Sequence, residues 1–289
     1  EPFVSTLLLG TQTLLLGGTE SQKNALLPGI AGGEKLITVG YDETGSHGDS
    51  SKVATVAKTS ADGFELSGKK IQVLDGHLSD RIIVSAATSD EAYTLFLVDP
   101  AQAGVTITRQ SRIDGLNAAI VQLDGVVVQH DDIVGELDRG DTLLQAVFDR
   151  AAVGLSAQML GASEQAFADT IEYIKEREQF GVPIGSFQAL QHRAVSVYTE
   201  IALTRSVVLA AARTVDEAPD EVPRLASLAK AMASETFVHA AKEAIQMHGG
   251  IGVTDEHDIG FYIKRAQATY MTFGKPSQHR QRWAELHGY

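Results

Sequence analysis

No cysteine occurs in the 289 residues, which excludes disulfides, thiolate metal sites and thiol chemistry. Positive charge is also in short supply. Lys and Arg number 24 against 37 Asp and Glu, for a net charge of −13. A surface of that sign repels nucleic acid and anionic membranes, so neither is an expected partner. Any anionic ligand must be held by a few placed Arg or Lys side chains and by backbone N–H groups. The opening apolar run is short as well. Phe3-Val4-Ser5-Thr6-Leu7-Leu8-Leu9 has no basic residue ahead of it and is interrupted at Gln12-Thr13, short of a membrane span. The absence of cysteine fits a reducing cytoplasm, which is the expected location. The first residue is Glu1 rather than methionine, so sequence upstream is expected to be missing.

A hydrophobic content of 44 % supplies a sizeable core, and its periodicity divides the chain. Residues 1–34 read as helical, with Thr19 and Gln22 at capping-box spacing before Ala25-Leu26-Leu27. From residue 35 to about 137 the period becomes two. Lys52–Ala57, Arg81–Ala86, Tyr93–Val98, Gly104–Thr108, Ala118–Leu123 and Gly125–Gln129 are short β-branched runs. Asp62-Gly63, Asp75-Gly76, Asp114-Gly115 and Asp124-Gly125 read as the turns between them. With no helices between strands, an antiparallel sandwich or barrel is expected. Residues 138–289 read as long helices, the first ending near Lys175, with breaks at Asp216–Pro223 and Gly249-Gly250. Short links between long helices predict a four-helix bundle, hence an α+β chain.

Three connections in the helical half carry more chemistry than a link needs. In residues 176–190, Arg177 offers a forked donor suited to phosphate, Gln179 an amide and Phe180 a flat apolar face. The same residues also read as a helix C-terminus, with Arg177 complementing the dipole and Gly181 as terminator. In Gln246-Met247-His248-Gly249-Gly250-Ile251-Gly252 the glycines let backbone approach a ligand such as a pyrophosphate, though a plain helix stop would use them as well. Thr272-Phe273-Gly274-Lys275-Pro276 precedes a last helix. The nine histidines show no metal-ligand spacing, so no metal is expected. His248 and His257 read as structural.

Taken together, residues 163–190 resemble the acyl-CoA dehydrogenase family. The matching pattern is Tyr-x3-Arg-x-Gln-Phe-Gly-x-Pro-Ile followed by Phe-Gln. Gln246-x2-Gly-Gly-x-Gly followed by Lys264-Arg265 is similar to the family's second signature. The order helix, β-domain and four-helix bundle is also the family's, with the N-terminal helical domain reduced to residues 1–34. The resemblance implies FAD as cofactor, an acyl-CoA substrate, and removal of an α-proton and a β-hydride to leave a trans-2-enoyl-CoA. It implies an electron-transferring flavoprotein as acceptor and a homo- or hetero-tetramer. Arg177, Gln179 and Phe180, with Gln246, Gly249 and Gly250, would then reach the ADP half of a neighbouring subunit's FAD.

The chain departs from this family where the catalytic carboxylate belongs. The two usual positions are Gly274 and Ala151, and neither accepts a proton. The family's Thr-Glu-Pro-x-x-Gly-Ser-Asp turn appears as Asp42-Glu43-Thr44-Gly45-Ser46-His47-Gly48-Asp49, with Asp42 and Gly48 at the FAD-contacting Thr and Ser. The Trp and Thr of the flavin-covering strand are Gln72 and Leu74. This combination resembles the non-catalytic partner in heteromeric bacterial acyl-CoA dehydrogenases of the steroid side-chain type. The alternatives are a self-sufficient homotetramer with a relocated base, Glu43 and Asp42 being the nearest acids, and a flavin-free acyl-CoA-binding or scaffold relative.

Overall fold

The computed structural model describes residues 2–46 and 49–289. Its contacts cluster into two compact units, Glu1–Ala151 and Ala152–Tyr289.

In the first unit, helix α1 (Phe3–Gly17) opens with wide π-type turns, and α2 (Glu20–Ala31) begins on the capping box that the sequence predicts. There the Thr19 hydroxyl accepts from Gln22 N, and the Gln22 side chain accepts from Thr19 N. The helices are tied to the sheet. Gly10 lies so close to strand β1 (Ile37–Gly40) that an added Cβ would sit 2.4 Å from the Ile37 side chain. The Gln22 amide donates to the carbonyls of Asp131 and Ile133 at 2.9 Å each.

The remaining strands are β2 (Val56–Thr59), β3 (Gly63–Leu74), β4 (Arg81–Ala87), β5 (Tyr93–Val98), β6 (Val105–Ser111), β7 (Asn117–Gln129) and β8 (Ile133–Val134). Among the described residues they form one sheet in the order β6-β7-β3-β2-β4-β5-β8, with β1 beside β4. The expectation of purely antiparallel pairing is corrected here: β1 and β2 both pair with β4 in parallel. Parallel neighbours need a long crossover, and the chain between β1 and β4 supplies one by running through β2 and β3. Val105 and Ile107 on β6 and Ile133 on β8 pack on one cluster built around Phe64, Leu66, Val84, Phe96 and Val121. The two ends of the strand order thus share a core, as a curled sheet requires.

Two local readings also change. Residues 52–55 precede β2 rather than belonging to it. Asp124-Gly125 is not a turn but an interruption within the single strand β7, opposite a register shift between Leu66 and Gly68. Leu123 and Val126 are both buried there, three positions apart where strict alternation allows two or four. The extra residue resets the phase, as a bulge does.

The second unit holds the C-terminal part of the long helix α3 (Gly140–Glu176), with α4 (Gln188–Glu217), α5 (Val222–His248), α6 (Ile259–Met271) and α7 (Pro276–Glu285). Helix α5 is the central one, with Ala226, Ala229, Ala233, Phe237, Ala240 and Ala244 buried along it. Small side chains there let neighbouring helices approach closely. Arg193 on α4 grips Glu243 on α5 with both nitrogens, at 2.6 and 3.0 Å. Thr204 and Thr236 hydroxyls meet at 2.8 Å between the same helices. Helix α4 is long and apolar enough to cross a membrane by length and composition alone. Val195, Tyr198, Leu203 and Leu209 are each more than half exposed on it.

Candidate cofactor face and base positions

Helix α3 stops at Glu176, and the chain turns into a miniature hairpin, β9 (Glu178–Gln179) against β10 (Val182–Pro183). Phe180 and Gly181 are its two central residues, with φ of 58° and 77°. Positive φ at both positions defines a type I′ turn. Gly181 therefore shapes a hairpin and is not the terminator of α3, which corrects the bland reading of this stretch. Phe180 is a bulky residue in a conformation that costs an L-residue about 1–2 kcal/mol, and its ring is 93 % exposed. Phe187 lies edge-on to it at 6.0 Å. Strain and exposure together are a poor bargain for folding, and they point outward.

Arg177 is exposed, and its guanidinium has no ion pair or hydrogen bond among the described residues. Its backbone carbonyl closes the hairpin by accepting from Ile184 N at 2.8 Å. Gln179 is exposed and donates only to the neighbouring Glu178 carbonyl. At the end of α5, Gln246, Gly249 and Gly250 are exposed while Met247 and His248 are buried between them. An added Cβ at Gly249 or Gly250 would meet nothing within 4 Å, so this chain does not require their bareness for packing. One expectation is narrowed. The Gly249 N–H returns to the Gln246 carbonyl and does not face outward.

Both segments emerge at one end of the bundle because the helix ends preceding them are packed together. Ile174 and Met247 share an apolar cluster. The Tyr173 hydroxyl donates to the His248 carbonyl at 3.2 Å, and its ring stacks on the His248 imidazole at 4.2 Å. Six sequence-predicted residues, Arg177, Gln179, Phe180, Gln246, Gly249 and Gly250, thereby share one exposed end. Tyr173 and His248 each lie within a signature segment, and nothing in the sequence signals that they touch. Beside the hairpin lies an open groove of about 560 Å³, walled by Phe167, Ile171, Ile174, Pro183, Val195 and Tyr198.

The base positions are occupied as the sequence reads. Ala151 is fully buried. Gly274 has φ of 102°, and a Cβ there would lie 3.1 Å from His279 Nε2. The two acids suggested as alternative bases are engaged. Glu43 is 5 % exposed and pairs with the fully buried Lys70. Its oxygens also accept from Ala54 N at 2.7 Å, Thr55 N at 3.1 Å and the Thr55 hydroxyl at 2.8 Å. Burial alone would raise the Glu43 carboxyl, but Lys70 and Thr55 together hold it below the usual range. Burial draws the Lys70 ammonium down to about 8 against the pull of Glu43. Asp42 accepts from Ser46 and from Glu43 N.

On the strand at the family's flavin-covering position, Gln72 is exposed with φ of 53° and Leu74 is half-buried. Ser5 donates to the Asp75 carboxylate at 2.6 Å. Gly48 lies outside the described residues. Among the described residues no group of three or more His, Asp or Glu is placed to hold a metal.

The first unit is a curled β-domain, and the second is a helical bundle whose end exposes an aromatic ring, a guanidinium and two glycines. The family model "Acyl-CoA dehydrogenase, C-terminal domain" matches residues 138–285. The chain is 32 % identical over 259 residues to the 3-(aryl)acrylate reductase of Clostridium sporogenes, covering 87 % of this chain and 68 % of that one. It overlays butyryl-CoA dehydrogenase from Megasphaera elsdenii with a TM-score of 0.94 at 27 % identity, covering 99 % and 76 % of the two chains. It overlays the ChsE4-ChsE5 complex of Mycobacterium tuberculosis with a TM-score of 0.87 at 27 % identity, covering 98 % and 75 %. The chain belongs to the acyl-CoA dehydrogenase family, oxidoreductases that use FAD on acyl-CoA substrates.

Proposed function

We propose that this chain is the partner subunit of an FAD-dependent acyl-CoA dehydrogenase, completing the cofactor site of a second, similar chain that supplies the base. The observation that carries the reading is the convergence at one end of the bundle of three features: a guanidinium, Arg177, unpaired among the described residues, a strained and exposed ring, Phe180, and the bare turn Gly249-Gly250. When bound, FAD accepts the β-hydride of the acyl-CoA as a carboxylate removes the α-proton, leaving a trans-2-enoyl-CoA.

The residues present fit the nucleotide half of that group. Arg177 offers a bidentate donor for a diphosphate, Phe180 a face for an aromatic base, and Gly249-Gly250 a surface that backbone-close contact requires. Gln179 and Gln246 add amides at the rim. The exposed apolar side of α4 and the neighbouring groove supply area for a subunit contact, in line with a homo- or hetero-tetramer. Functionally the division is residues 1–34, 35–137 and 138–289. The assembly is placed in the cytoplasm, with an electron-transferring flavoprotein as acceptor.

Against the self-sufficient homotetramer, both acids suggested for a relocated base are already engaged. Glu43 is held charged by Lys70 and Thr55, and Asp42 is committed to Ser46 and Glu43 N. A flavin-free scaffold gives no role to an exposed Phe180 at positive φ.

The test is flavin absorbance per chain. This chain is purified alone and with a co-expressed family member that carries Glu at a base position. Flavin only in the mixed assembly supports the reading. Stoichiometric flavin and acyl-CoA-dependent bleaching in this chain alone reject it.

A further inference from the structure

The contact that brings the arginine hairpin and the glycine turn together is made of titratable rings. Tyr173 stacks on His248 at 4.2 Å, and His257 packs on His248 at 4.7 Å and on Tyr173 at 6.2 Å. His248 is 3 % exposed. Its Nδ1 lies 2.7 Å from the Ala244 carbonyl. A carbonyl only accepts, so Nδ1 carries the single proton of the neutral ring.

We propose that Tyr173, His248 and His257 form a ring wedge that sets the spacing of the Arg177 hairpin against the Gly249-Gly250 turn, and that a second proton on His248 opens it. Retention of the cofactor on this face is then acid-sensitive. The inference rests on the reading of that face as a binder of the FAD nucleotide half.

The groups around His248 on each element packed against it favour the neutral ring on balance. From α3 come Tyr173 and the carboxylate of Asp169. That carboxylate is already committed, accepting from the Gln165 amide at 2.7 Å and from the Tyr262 hydroxyl of α6 at 2.9 Å. From the turn before α6 comes His257, which lies between Glu256 and Asp258 in sequence. Burial disfavours the charged ring first, and His257 opposes it further. The Ala244 carbonyl and Asp169 favour it without prevailing, so the imidazole titrates below its ordinary value. A proton forced onto it is relieved by leaving the stack. Departure of the ring exposes the Tyr173–His248 hydrogen bond, which among the described residues ties the two signature segments. Tyr173 and His248 are thus positioning residues that act on the cofactor through Arg177 and Gly249-Gly250.

The test follows flavin release from the loaded assembly by recovery of flavin fluorescence, from about pH 7.5 down to about pH 5.5, the range in which a histidine titrates. The wild type is expected to release FAD progressively faster as pH falls. His248→Phe keeps a stacking ring without a proton site and should flatten the profile. Tyr173→Phe keeps the ring and loses the hydrogen bond. It should weaken FAD binding roughly twofold to tenfold at every pH, the range of one hydrogen bond, while leaving the acid slope. An NMR titration of the wild-type His248 ring, which needs no flavin, should show a midpoint below that of an exposed histidine. A flat wild-type profile in a flavin-loaded assembly, or an unchanged slope in His248→Phe, overturns the inference and leaves the cofactor reading standing. Absence of flavin from every assembly overturns the cofactor reading itself.

Discussion

Lys230 Nζ donates to the carbonyl oxygen of Gly274 at 3.0 Å. The lysine is fully buried on the central helix α5, and its other acceptors are the Ser234 hydroxyl at 2.9 Å and the Tyr270 carbonyl at 3.4 Å. Three donors meet three acceptors, two of them carbonyls around the C-terminal end of α6. His279 Nε2 adds a hydrogen bond to the Phe273 carbonyl at 2.8 Å. The segment at one of the family's base positions is therefore tied from below at two consecutive carbonyls, although it bears no base.

Lys230 makes stability depend on alkaline pH. Burial lowers its ammonium from the ordinary lysine value of 10.5 to about 7 in the folded state. Between those values the unfolded chain binds more protons, so stability rises with pH across the window, and the cost of burying the charge is fully present below about 7. Lys230→Met removes the titrating group, so its stability slope between those limits should fall by up to about 1.4 kcal/mol per pH unit. Urea midpoints measured across the window check this. A slope equal to wild type means that the ammonium is as well solvated folded as unfolded.

Gly274→Glu alone should not create an active site. The residue sits at φ of 102° with His279 Nε2 3.1 Å from an added Cβ, so the substitution strains the loop by about 1–2 kcal/mol. Gln72 and Leu74 also remain at the family's flavin-facing Trp and Thr. General-base catalysis contributes roughly 10²–10⁴-fold in rate only when the flavin and substrate are already aligned. Acyl-CoA-dependent bleaching of flavin in the variant expressed alone, absent from wild type, would mean that a complete pocket existed and that the partner-subunit reading is wrong.

Arg177→Ala should lower FAD occupancy of the assembly with little change in thermal stability. The guanidinium has no partner to lose among the described residues, whereas a charged hydrogen bond to phosphate is worth about 1.5–3 kcal/mol. Flavin content and melting temperature are read on the same sample. Early melting with full flavin would reduce the arginine to a structural residue.

Lys70→Met should destabilise the β-domain by about 3–5 kcal/mol, because it strands the Glu43 carboxylate in the interior. Glu43→Leu combined with Lys70→Met should recover most of that loss, since no charge is left unpaired. Denaturant unfolding of both variants decides it. A single variant as stable as wild type would mean that water reaches Glu43.

In a flavin-loaded assembly, the flavin ring should not lie against residues 72–76 of this chain. Gln72 is turned out at φ of 53°, and Asp42 brings a carboxylate to a position where the family has a Thr contacting FAD. A structure with the ring seated there contradicts the expectation.

Much of this was legible locally. The Thr19–Gln22 cap, the helix ends near Lys175 and at Gly249, and the strands at Arg81 and Tyr93 depend on neighbours within a few residues, and each lies where periodicity places it. The two signature segments were legible for the same reason, since residue types at fixed short spacing carry their meaning without the rest of the chain. Strand β3 was not. Its Lys69 and Lys70 break an apolar pattern, and only the distant Glu43 and Ser85 make a buried Lys70 tolerable. The Asp124-Gly125 reading failed likewise, because a turn and a bulge use the same residues and the opposing strand decides between them.

By itself the sequence determined the family, and it placed Gly274 and Ala151 at the positions where that family's base is expected. Tertiary structure alone decided which residues act together. It paired Glu43 with Lys70 in the interior. It made Phe180-Gly181 a hairpin tip rather than a helix end. It also set Tyr173 on His248, which lies 75 residues further along the chain, and so joined two signatures that share no sequence neighbourhood. Spacing along a chain fixes contacts within a helix turn or a hairpin; contacts between elements exist only once their faces have packed.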